Sequence, residues 1–244
     1  MSDKTTAAIP ALILALGLAT TGALIGQGLV KARTADRAVT VKGIAEREAV
    51  ADLAVWPLRI SAANNDLGRA QAQLESSLAA ITAFLTRHGL DPQATTLQSF
   101  SVSDAQTNQY GGAQAATRFV ISQTLVVRST EPAKVQAASE KVGELVAAGV
   151  ILSSGGEYGA SGPTYVFTGL NRLKPEMIAD ATARARESAE QFAKDSKSRL
   201  GAIRRANQGV FEILPRDPAP GMSEQSQIAK TVRVVTTVEY SLEN

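Results

Sequence analysis

The 244-residue sequence has no cysteine, one histidine and one tryptophan. The absence of cysteine excludes thiol catalysis, cysteine-ligated zinc sites and iron–sulfur clusters, and it makes the fold independent of the redox compartment. A single histidine leaves little for a histidine-ligated metal site. Lys and Arg number 25 against 23 Asp and Glu, and both signs are spread along the chain. The basic patch typical of a nucleic-acid-binding protein is therefore missing, and we expect no cofactor and no nucleic-acid partner.

Charged residues are also absent from one long segment near the N-terminus, residues 7–30. At about 1.5 Å per residue, a helix of this length spans roughly the 30 Å hydrocarbon core of a bilayer. A cleaved signal peptide is the alternative, but Lys31 and Arg33 place charge where a small-residue cleavage site would lie. We therefore predict a short N-terminal flank at 1–6, an uncleaved transmembrane helix at 7–30 and a linker at 31–37.

Two glycines of this segment, Gly22 and Gly26, form a small-xxx-small pair that would let helices of neighbouring chains approach closely. Glycine is common in membrane helices, so a purely compositional origin is an equal alternative. The orientation is weakly specified, because Lys4 flanks one side while Lys31 and Arg33 flank the other. Taken alone, the positive-inside rule leans towards a cytoplasmic C-terminal domain, although long domains cross membranes despite such a bias.

The best-specified part of the folded region is a strand, a short connection and a long helix between Pro163 and Gly201. Pro175 is suited to the first helical position, and Gly201 is suited to the left-handed residue just beyond the helix. One face of this helix carries a narrow stripe of mostly small side chains, which pack only where another backbone approaches closely. We therefore expect this helix to lie flat on a sheet. The stripe consists of Ile178, Ala181, Ala185, Ala189, Phe192, Ser196 and Leu200.

The rest of residues 38–244 reads as strands and further helices. Antiparallel hairpins interleaved with helices favour an α+β fold with antiparallel sheets packed against long helices, not a doubly wound fold. An order of strand, helix, strand, loop and strand occurs twice, which indicates two pseudo-repeated subdomains. The predicted elements are one long strand or a hairpin over 39–60, helices over 67–85 and from 130 to 149, and strands over 95–103, 117–128, 165–167, 202–214 and 228–242.

Four stretches of this region carry a family resemblance. They are Thr40-Val41-Lys42-Gly43, Gly89-Leu90-Asp91 before a strand, Tyr165-Val166-Phe167, and the alanine-rich helix that runs to Leu200-Gly201. In these stretches and in its layout from Ala38 to Leu242, the chain resembles the SIMPL-domain family, which includes bacterial periplasmic immunogenic proteins and oxidative-stress defence proteins. The resemblance implies large ring-like homo-oligomers and no established catalytic activity. It also implies a single-pass protein of the bacterial inner membrane with its domain in the periplasm.

No group of side chains in the sequence predicts catalysis. His88 lies in the last turn of the first helix, where a cation stabilises the helix dipole, and no acid or nucleophile accompanies it. The glycine-rich segment 156–162 lacks the Gly-Lys-Ser/Thr of a phosphate-binding loop. Ser153 and Ser154 have neither a nearby histidine nor a Ser-x-x-Lys pattern. We therefore predict that the protein is not an enzyme.

Our leading hypothesis is a membrane-anchored periplasmic protein that forms a ring-like homo-oligomer with a structural or stress-protective role in the cell envelope. The alternative is a module that captures a ligand or an unidentified envelope protein through the glycine-rich loops at 108–115 and 153–162. A hydrolase with an unrecognised site is a third hypothesis. The candidate contact residues for an oligomer or a partner are Gly22, Gly26, Tyr110, Gly111, Gly112, Gly155, Gly156 and Tyr158.

Overall fold

The computed structural model of the chain describes residues 16–27, 37–106, 117–153 and 162–243. These residues form an α+β fold with antiparallel sheets, as predicted. The strands are β1 (Ala38–Val50), β2 (Leu53–Asn64), β3 (Thr95–Asp104), β4 (Phe119–Ser129), β5 (Thr164–Val166), β6 (Arg199–Pro215) and β7 (Ala229–Glu243). The helices are α1, described over residues 16–27, α2 (Leu67–Arg87), α3 (Pro132–Glu140), α4 (Gly143–Ala147) and α5 (Leu170–Asp195).

Two sheets organise the strands of the described residues. One sheet has the order β3-β4-β2-β5, and the other has the order β1-β7-β6. In the first sheet, β2 pairs antiparallel with β4 over its length, from Ala54 opposite Ser129 to Asn64 opposite Phe119. The prediction of one long strand or a hairpin over 39–60 was wrong, because β1 and β2 are separate strands of different sheets. Alternation along the chain cannot report which sheet a strand joins, since pairing partners are distant in sequence.

The chain divides into two compact units. The first unit consists of Met1–Ala45, Glu176–Phe211 and Val234–Asn244, and the second consists of Glu46–Pro175 and Glu212–Arg233. Each unit has its own cluster of buried apolar side chains.

In the second unit, α2 covers the sheet formed by β2 and β4. The helix buries Leu74, Ile81 and Phe84 at steps of three and four, which is the spacing of a single helix face. Trp56 of β2 is 2% exposed and meets the Phe84 ring edge-on at a centroid distance of 6.4 Å. The Asp66 carboxylate accepts a hydrogen bond from the Arg69 backbone N–H at 2.8 Å and caps the helix. The helix predicted over 67–85 is confirmed.

In the first unit, α5 packs a stripe of small side chains against β1 and β7. The stripe is fully buried and repeats every four residues, whereas the predicted stripe included Phe192. Phe192 is 59% exposed, and Ala193 takes the buried position. The prediction of Phe192 was wrong because the buried face repeats every four residues, so Ala193 follows Ala189 inward and Phe192 lies on the outer side. The fully buried residues of α5 are Met177, Ala181, Ala185, Ala189 and Ala193.

The closest approach in this unit is between Gly43 of β1 and the backbone of α5. A Cβ atom at Gly43 would lie 1.8 Å from the Ala181 carbonyl oxygen and 2.5 Å from the Ala185 nitrogen. These distances are far shorter than any van der Waals contact, so only glycine fits at this position. Val41, Val238 and Tyr240 complete the cluster on either side of the contact. The expectation that the helix lies flat on a sheet is confirmed.

The ends of α5 differ from the prediction. The helix begins at Leu170, so Pro175 is inside the helix instead of at its first position. A tertiary contact holds the chain just before this start: the Asp52 carboxylate accepts hydrogen bonds from the Thr168 N–H at 2.8 Å and from the Thr168 hydroxyl at 3.0 Å. A carboxylate supplied by a distant loop leaves no sign in the local sequence.

The predicted C-terminal end of α5 also lies several residues beyond the observed end. The helix ends at Asp195, Lys197 takes the left-handed conformation with φ of 54°, and β6 has begun by Arg199. The prediction of Gly201 as the helix-terminating glycine was wrong. Gly201 lies in β6, where a Cβ would lie 2.4 Å from the Ser241 hydroxyl oxygen.

The helix predicted from 130 to 149 is interrupted. It divides into α3 and α4 around Lys141 and Val142, and its predicted terminator, Gly149, has a φ of 83°. Val135, Ala138 and Leu145 are buried, as their spacing indicates.

Within the ranges that the structure describes, no helix combines the length and the apolar composition needed to cross a membrane. The described part of α1 covers only part of the predicted anchor at 7–30, and the predicted flank at 1–6 lies outside the described residues.

Candidate functional site

Most of the predicted contact residues belong to the two glycine-rich loops. These six residues lie outside the described residues: Tyr110, Gly111, Gly112, Gly155, Gly156 and Tyr158.

The other two predicted contact residues, Gly22 and Gly26, lie on α1. A Cβ atom built on either glycine meets no heavy atom within 4 Å, so their face of the helix is open. Leu18 and Leu24 on the same helix are 67% and 69% exposed. The described part of α1 is therefore an apolar helix whose side chains are not packed in either apolar core of the described residues.

A further exposed surface, which the sequence did not indicate, lies along β3 at the edge of the four-stranded sheet. Leu97, Phe100 and Val102 are 53%, 55% and 48% exposed, although apolar residues in a sheet are normally covered. Helix α2 packs over β2 and β4, and β3 makes its main contacts with β4 alone. We call the outer edge of β3 from Thr95 to Ser103 the β3 edge.

A β-bulge shapes the β3 edge. The register with β4 shifts between Gln98 and Ser101, and Ser99 has a positive φ of 52°. Because one extra residue is inserted, Leu97 and Val102 face the same side of the sheet even though they are five residues apart. Leu97 is opposite Leu125 and Val102 is opposite Ile121, and both β4 residues are buried in the core. Leu97 and Val102 thus lie on the same face of the sheet as the buried core residues, but outside the area that α2 covers.

A second exposed apolar surface lies on α5, in an open groove of about 460 Å³ around Phe192. Phe192 lies between Glu187 and Asp195 on the outer face of the helix, and Gln191 donates a hydrogen bond to the Asp195 carboxylate at 3.0 Å. The groove is acidic and is lined by successive turns of one helix, so it offers a shallow contact surface and no enclosed cavity.

The described residues also contain a buried charged pair. Lys230 is fully buried, and its ammonium group donates to the Tyr165 carbonyl oxygen at 2.9 Å and to the Glu224 carbonyl oxygen. Its Nζ is 2.5 Å from Oε1 of Glu224. These three acceptors satisfy the three N–H donors of the ammonium group. Lys230 therefore connects the loop after β6 to β5 and has a structural role.

His88 forms the C-cap of α2, where its backbone N–H donates to the Phe84 carbonyl oxygen at 3.1 Å. Its ring lies 4.5 Å from the Phe84 ring, and its Nε2 is 3.3 Å from the Glu144 carboxylate. The side chain is only 16% exposed, so most of its surface is covered by neighbouring groups. The structure therefore places His88 at the helix end, as its position in sequence indicates, and brings the Glu144 carboxylate of α4 within hydrogen-bond distance of its ring.

Two pKa shifts have clear physical causes. Burial raises the pKa of the Tyr165 phenol above its ordinary value. The hydrogen bond from the Arg118 side chain, followed by the one from the Gln106 N–H, lowers the pKa of Asp104. The Arg118–Asp104 ion pair at 3.1 Å joins the end of β3 to the start of β4, beside the loop that connects the two strands.

Among the described residues, no cluster of three or more histidine or acidic side chains has the arrangement of a metal site. A cleft of about 250 Å³ lies between the end of α2 and the start of α3, and it is lined by Leu90, Asp91, Arg128 and Glu131, among others. The Asp91 carboxylate already accepts a hydrogen bond from the Gln93 N–H at 2.9 Å. The Ser129 hydroxyl oxygen likewise accepts a hydrogen bond from the Glu131 N–H at 3.1 Å, so two of the polar side chains that line this cleft bind the backbone around them.

Comparison with family models identifies the fold that carries these surfaces. The model of SIMPL, described as a protein of unknown function (DUF541), matches residues 39–240. The chain belongs to the SIMPL family. Comparison with curated proteins gave no match. Among solved structures, the chain is similar to the regulatory subunit of aspartate kinase from Thermus flavus, at 16% identity over 83% of this chain and 90% of that chain. The TM-score of 0.20 is too low for that similarity to carry an argument.

The structure explains one of the stretches on which the resemblance was based. Gly43 ends the Thr-Val-Lys-Gly stretch, and it is the residue that lets α5 lie against β1. No motif in the sequence indicated that the apolar residues of the β3 edge are exposed. Composition was the one available signal: residues 95–103 of this SIMPL domain contain no charged side chain, which is unusual for an edge strand.

Proposed function

We propose that this SIMPL protein is a non-enzymatic, single-pass protein of the bacterial inner membrane that assembles with further copies of itself, in a ring, on the periplasmic side. Its role is structural or stress-protective in the cell envelope. The observation that carries the proposal is the β3 edge, an uncharged edge strand with three large apolar side chains about half exposed. Such an edge is a template for pairing with another chain.

The anchor is supported by the composition and exposure of α1. Residues 7–30 contain no charged side chain, and the described part of α1 exposes its leucines to its surroundings. A helix that is apolar on every side gains free energy only when another helix or a lipid phase covers it. The periplasmic address rests on the resemblance to exported SIMPL proteins, and a fold without cysteine is compatible with it.

The assembly is supported by the second sheet as well. Strand β6 is a long edge strand of that sheet, and Ile203 and Val210 on it are 52% and 80% exposed. Two exposed strand edges per chain allow more than one contact between copies, which a ring requires.

Light scattering on the full chain, purified in a mild detergent, tests the assembly. The expected result is a particle whose protein mass is a multiple of 25.5 kDa. A strictly monomeric particle at micromolar concentration would contradict the proposal.

Cysteine labelling tests the topology, because the chain contains no native cysteine. A Ser76→Cys variant places a thiol on an exposed position of α2. In intact cells, a membrane-impermeant maleimide should label this variant without prior lysis. Labelling only after lysis would place the domain in the cytoplasm.

A strain that lacks the gene tests the cellular role. We expect it to grow normally without stress and to lose viability under oxidative or detergent challenge, with recovery when the full chain is supplied. A strain without any envelope phenotype would refute the stress-protective role and leave the assembly intact.

A further inference from the structure

The three long edge strands of the described sheets differ sharply in charge. Strand β1 carries charged side chains at its centre, among them Lys42 and Glu46, and β6 carries the adjacent pair Arg204 and Arg205. Strand β3 has no charged residue from Thr95 to Ser103. Natural edge strands usually resist pairing by means of charged side chains or proline. The β3 edge has neither, and its bulge is the sole protective feature among the described residues.

We propose that the β3 edge pairs with the β3 edge of a second copy of the chain, antiparallel and around a two-fold axis. The pairing joins two four-stranded sheets into one continuous sheet. This inference rests on the proposed function and specifies the contact through which two copies meet.

Charge complementarity favours a second copy as the occupant. In a two-fold contact each residue faces a residue of the same strand, so a charged strand places like charges near one another at a cost. An uncharged strand carries no such cost in any register. The one acidic residue at its end, Asp104, faces Thr95 of the partner strand when Leu97 faces Val102, so the two carboxylates lie at opposite ends of the contact.

The bulge selects this register. Leu97 and Val102 lie on the same face of the sheet because of the extra residue between Gln98 and Ser101. With Leu97 of one copy opposite Val102 of the other, both apolar pairs close over the same face, and the two bulges lie side by side. Gln98 then faces Ser101 across the contact, which pairs polar side chains on the other face. A shift by one residue would set Leu97 against a polar residue.

Membrane attachment strengthens a contact of this size. A strand pairing buries little area, but two chains held in one membrane meet at a high effective concentration. Because a two-fold contact is closed, it produces a pair, and a ring needs a second surface such as the exposed part of β6.

Disulfide trapping between two different variants tests both the contact and its register. Gln98→Cys and Ser101→Cys chains are co-expressed at full length in membranes and oxidised mildly, and cross-linked dimers are measured on a non-reducing gel. Directly opposed residues bring their Cα atoms to about 4.5–5.5 Å, which is within the Cα separation that a disulfide spans, whereas each cysteine lies about 10 Å from its own copy in the partner. The mixed sample should therefore cross-link, and each variant alone should not. Ser76→Cys with either variant is the control and should not cross-link.

A Val102→Lys variant gives an independent measurement. It removes both apolar pairs of the contact and should raise the dissociation constant of the pair about tenfold or more, as measured by analytical ultracentrifugation in detergent. Ser76→Lys adds the same charge on α2 and should leave the dissociation constant unchanged. Circular dichroism checks that both variants fold.

The outcomes separate this inference from the proposed function. Cross-linking of the mixed sample alone, together with weaker association of Val102→Lys, supports the β3 pairing. An assembled particle by light scattering without any cross-link at β3 overturns the inference and leaves the proposed function standing. Cross-linking of either variant with itself overturns the register and the two-fold contact derived from it. A monomer by light scattering overturns both.

Discussion

Replacement of Gly43 by alanine is the most demanding test of the packing in the first unit. The added Cβ would lie 1.8 Å from the Ala181 carbonyl oxygen and 2.5 Å from the Ala185 nitrogen, whereas contacts below 3.0 Å are essentially never observed. Both contacts are backbone atoms, which cannot rotate away as a side chain can. Helix α5 must therefore withdraw from β1 by about 1 Å or more, and the alanine stripe loses its contacts as well.

Overpacking of a core by one methyl group costs about 1–3 kcal/mol, and we expect Gly43→Ala to cost about 3 kcal/mol because a whole helix must move. Against a typical domain stability of about 5–15 kcal/mol, this is a large loss. Urea unfolding of the full chain in mild detergent, followed by circular dichroism, measures it. With a denaturant slope of about 2–3 kcal/mol per molar, the midpoint should fall by about 1–1.5 M.

Gly201→Ala is the matched control in the same unit. There the added Cβ meets the Ser241 hydroxyl oxygen at 2.4 Å and the Glu243 carboxylate at 2.9 Å. These two nearest groups are the ends of side chains that can turn aside, and the one backbone atom in reach, the Ser241 carbonyl oxygen, lies at 3.2 Å, so this variant should cost about 1 kcal/mol. If Gly43→Ala unfolds at the same urea concentration as Gly201→Ala, backbone contact does not explain the glycine at position 43.

Three further predictions concern polar groups. The Thr236 hydroxyl is buried and has no hydrogen-bond partner among the described residues, so Thr236→Val should stabilise the chain by about 1 kcal/mol and raise the melting temperature by about 2–4 °C in calorimetry; an unchanged or lower melting temperature would show that the hydroxyl is satisfied. Lys230→Met leaves the partly buried Glu224 carboxylate without its cation and should cost about 2–3 kcal/mol in urea unfolding, and the additional Glu224→Gln change should restore part of that loss; no recovery would show that the lysine acts through packing alone. Asp104 should titrate below the ordinary value of about 3.9 in NMR, because Arg118 stabilises its charged form, and Arg118→Gln should raise that midpoint. Since the pKa of Asp104 is lowered on folding, the stability it contributes is present above about pH 4 and is lost as the pH falls through the folded-state pKa; equal midpoints with and without Arg118 would refute the assignment.

Local patterns predicted the elements of this fold where a single segment contains the whole signal. The apolar spacing of α2, its aspartate cap and the glycine that follows it all lie within about 25 residues. The alanine spacing of α5 and the alternation of β7 are equally local, and they were predicted for the same reason. The SIMPL resemblance drew on such segments, and the family match over residues 39–240 confirms it.

Contacts between distant segments account for the errors and omissions. The start of α5 depends on a hydrogen bond from Thr168 to Asp52, which lies more than a hundred residues away. Phe192 is three residues and Ala193 is four residues after Ala189, so spacing alone allows either of them to be buried. The close approach of Gly43 to α5 determines which face of the helix is turned inward. The burial of Lys230 depends on acceptors from two other segments.

The sequence by itself thus determined the family, the class of fold and the position of most helices and strands, because periodicity, caps and glycines act over a few residues. The tertiary structure decided which strands share a sheet and which strand becomes an edge. Strand β3 was predicted from its sequence like the other strands, but its exposure follows from the position of α2, which covers β2 and β4. The position of α2 relative to the sheet therefore leaves β3 exposed as the surface through which we expect two copies to pair.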